Sequence, residues 1–171
     1  AANQLPLISA LLFVLLSMLP LRAPGASLMP PLFALMAIFF WSIHRPDRMG
    51  PVQVFVVGLA LDIVSNGPPG LYSLTFLVAY AFSVSQRILF TGRFAIGQWL
   101  GFAMTLLLVE ALAWIATSFY HGRPLSPVPL FAQTIASILF YPPVARVLGT
   151  IELIDKIEKL NYGRGDVIRL A

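Results

Sequence analysis

Residues 58–70 read GLALDIVSNGPPG. The first half has the character of an apolar helix, and the second half runs into a tight turn, because Gly and Pro punctuate turns for steric reasons. Yet Asp62 lies inside the apolar part, between Leu61 and Ile63. A carboxylate at bilayer depth costs about 2.5–3.5 kcal/mol on insertion scales, so such a residue faces a partner group or a water-filled cavity. The turn beside it suggests the simplest role. Asp62 is expected to accept hydrogen bonds from amides freed in the broken segment 65–70, and to shape a groove between the helices on either side.

The rest of the chain explains why a membrane is the frame for that stretch. Of 171 residues 58% are hydrophobic and 11% charged, against about 25% charged in an ordinary soluble domain. Mean hydropathy is +0.86. These figures describe an integral membrane protein. The formal charge of +4 does not point to nucleic acid, because the basic residues sit between long apolar runs rather than on one polar face. The absence of cysteine excludes a disulfide framework and a thiolate metal site. His44 and His121 stand far apart, with no acid at ligand spacing, and are read as interfacial residues. No P-loop, HExxH or GxSxG motif occurs, so the sequence predicts neither an enzyme nor a cofactor.

A bilayer core takes about 20 apolar residues in a helix. Six candidates fit: 5–21, 28–43, 51–65, 70–90, 94–120 and 127–149. The first has no basic residue before it and no small-residue cleavage site after it, so it reads as a retained span rather than a secretory signal. The chain opens on Ala1 rather than Met, and a few native residues are expected ahead of it. The third candidate covers only about 22 Å at 1.5 Å per residue, short of a ~30 Å core. Lys/Arg bias sets orientation. With the N-terminus inside, nine basic residues fall in inside loops and the tail, and two, Arg22 and Arg123, fall outside. The expected fold is therefore all-α: a polytopic six-transmembrane-helix bundle with both termini cytoplasmic. A five-span reading, with 51–90 as a re-entrant hairpin, is the alternative.

Loops are too short for any soluble domain, so residues 1–171 form a single membrane domain ending in a short cytoplasmic amphipathic tail, 150–171. In IELIDKIEKL (151–160), Glu152 with Lys156 and Asp155 with Lys159 form i,i+4 pairs beside a broad apolar face. The tail reads as a solvated extension of the sixth span, or else as an interfacial helix. Glu110 is the only other acid within a span, and a packing contact is its expected role. Gly97 and Gly101 match the GxxxG pattern that allows close helix approach. Trp41, Trp114, Tyr120 and Tyr141 suit aromatic-belt or packing positions.

Length, orientation and one unit together resemble a known family. The unit is FVVGLALDIV (55–64), then NGPPGL (66–71), then Ser73-Leu74 and Val78-Ala79-Tyr80. It is similar to the F-x-x-G-L-x-x-D run, Gly-containing turn and G-x-x-A/S-L helix start of the bacterial rod shape-determining protein MreD. Pro68-Pro69 is a stiffer turn than the family pattern.

The resemblance implies a non-enzymatic scaffold subunit of the cell-wall elongation complex in the bacterial inner membrane. It implies MreC as a direct partner. MreB, RodZ, the RodA glycosyltransferase and its penicillin-binding transpeptidase would belong to the larger assembly, with membrane lipid around it. Gly58, Asp62, Asn66, Gly67, Gly70 and Leu71 are the candidate groove or partner-binding residues, with Glu110 a secondary polar position. Asp62→Ala is expected to weaken partner assembly more than Glu110→Ala. Span count and size also look like the substrate-binding subunits of energy-coupling-factor transporters, which gives the alternative of a small-molecule or lipid binder.

Overall fold

The structure, a computed structural model, describes residues 4–17, 30–65, 68–87, 95–124 and 126–169, with side chains up to residue 157. It is all-helical, with no strand among the described residues. Six helices follow one another: α1 (Leu5–Ser17), α2 (Phe33–His44), α3 (Pro51–Ser65), α4 (Leu71–Ser85), α5 (Ala95–His121) and α6 (Val128–Arg169). Two stretches, Ile96–His121 in α5 and Val128–Ile157 in α6, are long and apolar enough to cross a membrane. The other four helices are apolar but run for 12 to 15 residues as described.

The centre of the bundle is α2. Every residue from Phe33 to Ile43 is buried, and the helix touches α1, α4, α5 and α6. A helix that is apolar all round belongs in such a place, since no face of it needs water. Polar groups fix its neighbours. The Trp41 indole N–H donates to Ser9 Oγ at 2.8 Å, and Phe13 stacks near Phe33, so α1 and α2 are antiparallel. The Pro30-Pro31 start of α2 leaves backbone groups outside the helix ladder, and α6 satisfies them. Gln133 Nε2 donates to the Pro30 carbonyl at 2.8 Å, and the Leu32 amide donates to Ser137 Oγ at 3.1 Å. An aromatic cluster of Phe39, Phe102 and Tyr141 joins α2, α5 and α6, with the last two rings stacked 4.3 Å apart.

The 150–171 segment continues α6 without a break as far as Arg169, so the helical extension is observed. Its polar face is only partly solvated: Lys156 is exposed. Glu152 and Asp155 are buried, because the α2–α3 loop lies on them: Arg45 Nε is 3.1 Å from Glu152 and Arg48 Nη1 is 2.7 Å from Asp155. The Glu152–Lys156 pair forms at 3.0 Å, while the expected Asp155–Lys159 pair falls outside the described side chains. Burial alone would raise the Glu152 carboxyl. Hydrogen bonds from Lys156 and Arg45, with the charges of Lys156 and His44, outweigh it and hold the group below the ordinary carboxylate range.

Candidate functional site

Asp62 and Gly58 sit one turn apart on α3, on the face toward α4. A Cβ on Gly58 would stand 2.5 Å from Ser73 Cα and 2.8 Å from its nitrogen. Glycine is what lets the backbone of α4 come this close, and the close approach brings the first turn of α4 within reach of Asp62. The carboxylate then accepts three hydrogen bonds: the Tyr72 amide on Oδ1 at 2.8 Å, the Ser73 amide on Oδ2 at 3.1 Å, and the Ser73 hydroxyl on Oδ2 at 2.7 Å.

The described amide donors to Asp62 are thus the first-turn amides of α4; of the amides expected from 65–70, those of Asn66 and Gly67 lie outside the described residues. Two further positions there, Pro68 and Pro69, have no N–H to give, whereas the first-turn amides of a helix have no intrahelical acceptor. The helix N-cap is Gly70, at φ +88°, with no side chain to do the capping. Asp62 supplies the missing cap from the neighbouring helix, and a negative charge at a helix N-terminus is favourable in its own right. Asn66 and Gly67, also expected in the groove, lie outside the described residues.

Glu110 is the opposite case. It is buried in α5, 7% exposed. The Thr134 hydroxyl of α6 donates to Oε2, and Oε1 has no partner among the described residues. The residue lines a cavity of about 400 Å³ where the α3–α4 turn, the last part of α5 and the first part of α6 converge. Leu71, Tyr72, Val109, Ala113, Trp114 and Leu130 form most of its apolar wall, and Gln133, Thr117 and His121 add polar groups. Leu71, one of the residues expected to shape a groove, is in this wall, as is Glu110, the secondary polar position. Gly58 and Asp62 are not, and act on it from behind: Asp62 holds the Tyr72 backbone, and the Tyr72 side chain faces the cavity. The cavity therefore lies between the α3–α4 turn and the α5–α6 pair.

Sequence reasoning missed the cavity lining of α5 and α6. The one signal for it was Glu110 followed at i+3, i+4 and i+7 by Ala113, Trp114 and Thr117, a helical face with one acid, two small or polar residues and one indole. Among the described residues no group of three or more His, Cys, Asp or Glu is placed to hold a metal. His44 is half-buried, its Nδ1 2.9 Å from the Phe40 carbonyl oxygen and its Nε2 3.1 Å from the Gln98 side-chain amide. His121 lies at the mouth of the cavity.

The family model described as rod shape-determining protein MreD matches residues 3–150. Comparison with curated proteins gives no match, and comparison with solved structures gives none.

Proposed function

Since the chain belongs to the MreD family and so has a role in rod shape determination, we propose that it is a non-enzymatic scaffold subunit of the cell-wall elongation complex, and that its cavity is the docking place of MreC. In this reading all six helices cross the inner membrane with both ends inside, as the basic residues direct. The cavity then opens at the outer face. RodA, its transpeptidase partner, RodZ and MreB belong to the larger assembly.

The observation that carries the reading is the cavity itself. About 400 Å³ of largely apolar space with one incompletely bonded carboxyl suits an apolar anchor carrying a hydrogen-bond donor. A side chain from a membrane-proximal segment has that chemistry. Gly58 and Asp62 would support it from behind, by setting the position of Tyr72.

Co-expression with MreC and isolation in mild detergent tests the reading. Wild type is expected to retain MreC, and Ala113→Trp, which fills the cavity from its own wall, is expected to lose it at unchanged membrane level. Retention of MreC by Ala113→Trp would overturn the docking place. A small molecule held in place of MreC would favour the transporter-type binder instead.

A further inference from the structure

A second recess lies at the opposite end of α5. Its volume is about 330 Å³, and it is lined by Ile96, Gln98 and Trp99 of α5 and by Tyr141, Pro142, Ala145 and Arg146 of α6. The nearest lining residues of the two on α5, Trp99 and Val109, are ten apart, a rise of about 15 Å, and this recess and the Glu110 cavity share no lining residue.

Its floor follows from the proline pair. Pro142 has no N–H, so the carbonyl four residues earlier, Ile138, loses its helical partner. The Trp99 indole N–H takes that carbonyl at 3.0 Å, which fixes the indole against α6 at this level. Tyr141 is 2% exposed, and its hydroxyl has no hydrogen-bond partner among the described residues. Arg146 is exposed and forms no ion pair among the described residues, unlike Arg45 and Arg48. The recess thus combines an uncommitted guanidinium, a buried hydroxyl without a partner, and apolar walls.

Depth settles what such a set would meet. Arg146 is eighteen residues beyond Val128 on α6, about 27 Å along the helix, close to the ~30 Å thickness of a hydrocarbon core. It therefore stands where lipid phosphates lie, on the side where basic residues are concentrated. Arginine recognises phosphate oxygens through paired N–H groups, and basic pockets between helices on the cytoplasmic side take anionic headgroups. We propose that this recess binds the phosphate of an anionic phospholipid, with Arg146 as its countercharge, the Tyr141 hydroxyl as a donor, and Ile96, Trp99 and Pro142 against the glycerol and upper acyl chains. The site is independent of partner docking at the other end of the bundle.

The test uses the full chain, purified in mild detergent with equal amounts of phosphatidylglycerol and phosphatidylcholine, and native mass spectrometry of retained lipid. Wild type is expected to hold one phosphatidylglycerol in preference. Arg146→Gln should lower that preference about fivefold, and Arg123→Gln, a basic residue at the other end, should leave it unchanged. Tyr141→Phe, which keeps the ring stack, should lower it about twofold, and this carries the comparison if Arg146→Gln does not stay monodisperse. Equal retention of the two lipids by wild type would overturn the site. So would undiminished preference in both Arg146→Gln and Tyr141→Phe. Displacement of the lipid by millimolar glycerol phosphate would overturn the lipid as the ligand in favour of a free phosphate.

Discussion

Asp62 and Glu110 are the two acids of the apolar core, and they are used in opposite ways. Among the described residues Asp62 meets three donors, all from one turn of α4, and both of its oxygens are bonded inside the fold. Glu110 meets one, and its second oxygen is left beside a cavity. Burying a polar group without a partner is costly, so a chain retains such an arrangement only where something else offsets it. The number of donors around a buried carboxylate, not its depth, separates a structural one from one kept for recognition.

Each change that breaks the contrast should do so to a different degree. The largest effect is expected at Gly58, where any side chain must push α4 away from Asp62. Gly58→Leu should lose about 3 kcal/mol or more and drop the thermal aggregation midpoint in detergent the furthest. An unshifted midpoint would show that the close approach of α3 and α4 is not needed. Asp62→Ala comes next. It strands the Tyr72 and Ser73 amides, which should cost about 2–4 kcal/mol and weaken MreC retention through the displaced Tyr72. Asp62→Asn, with one acceptor oxygen left, should fall between Asp62→Ala and wild type.

Glu110→Gln sharpens the same comparison from the other side. Its midpoint should stay within about 1 kcal/mol of wild type, since Thr134 still has an oxygen to bond, while MreC retention falls. A Glu110→Gln variant less stable than Asp62→Ala would reverse the assignment of roles.

The smallest effect involves a third carboxylate, outside the apolar core. Glu152 is held below the ordinary carboxylate range, so it binds fewer protons folded than unfolded. Its contribution is complete above the unfolded value near 4.5 and is lost as pH falls through the lower folded value. Acidification below about pH 5 should therefore lower the midpoint slightly. Glu152→Gln should remove that part of the pH dependence, and the same acid slope in both proteins would exclude a contribution from the Glu152 contacts with Arg45 and Lys156.

Much of this was legible in the residues. The all-helical fold followed from apolar runs, and the order of the six helices from the Gly/Pro breaks between them. The family followed from the 55–80 unit, and the match over residues 3–150 agrees. Asp62 was readable as a turn anchor, but not which amides it would take, because that depended on how closely Gly58 admits α4. Glu110 was readable as buried, but not as half satisfied. The tail's i,i+4 pair at Glu152 and Lys156 was readable, but Arg45 and Arg48 come from more than a hundred residues away.

The sequence alone determined the medium, the helices and the family, because hydropathy and turn chemistry are properties of neighbouring residues. Which apolar helix lies at the centre was decided only by tertiary structure. Lipid and protein interior are equally apolar, so the residues of α2 carry no mark that separates a core helix from one facing lipid. The same holds for the two acids. A carboxyl's cost of burial is written in the sequence, but the donors that offset it are assembled only when distant helices meet.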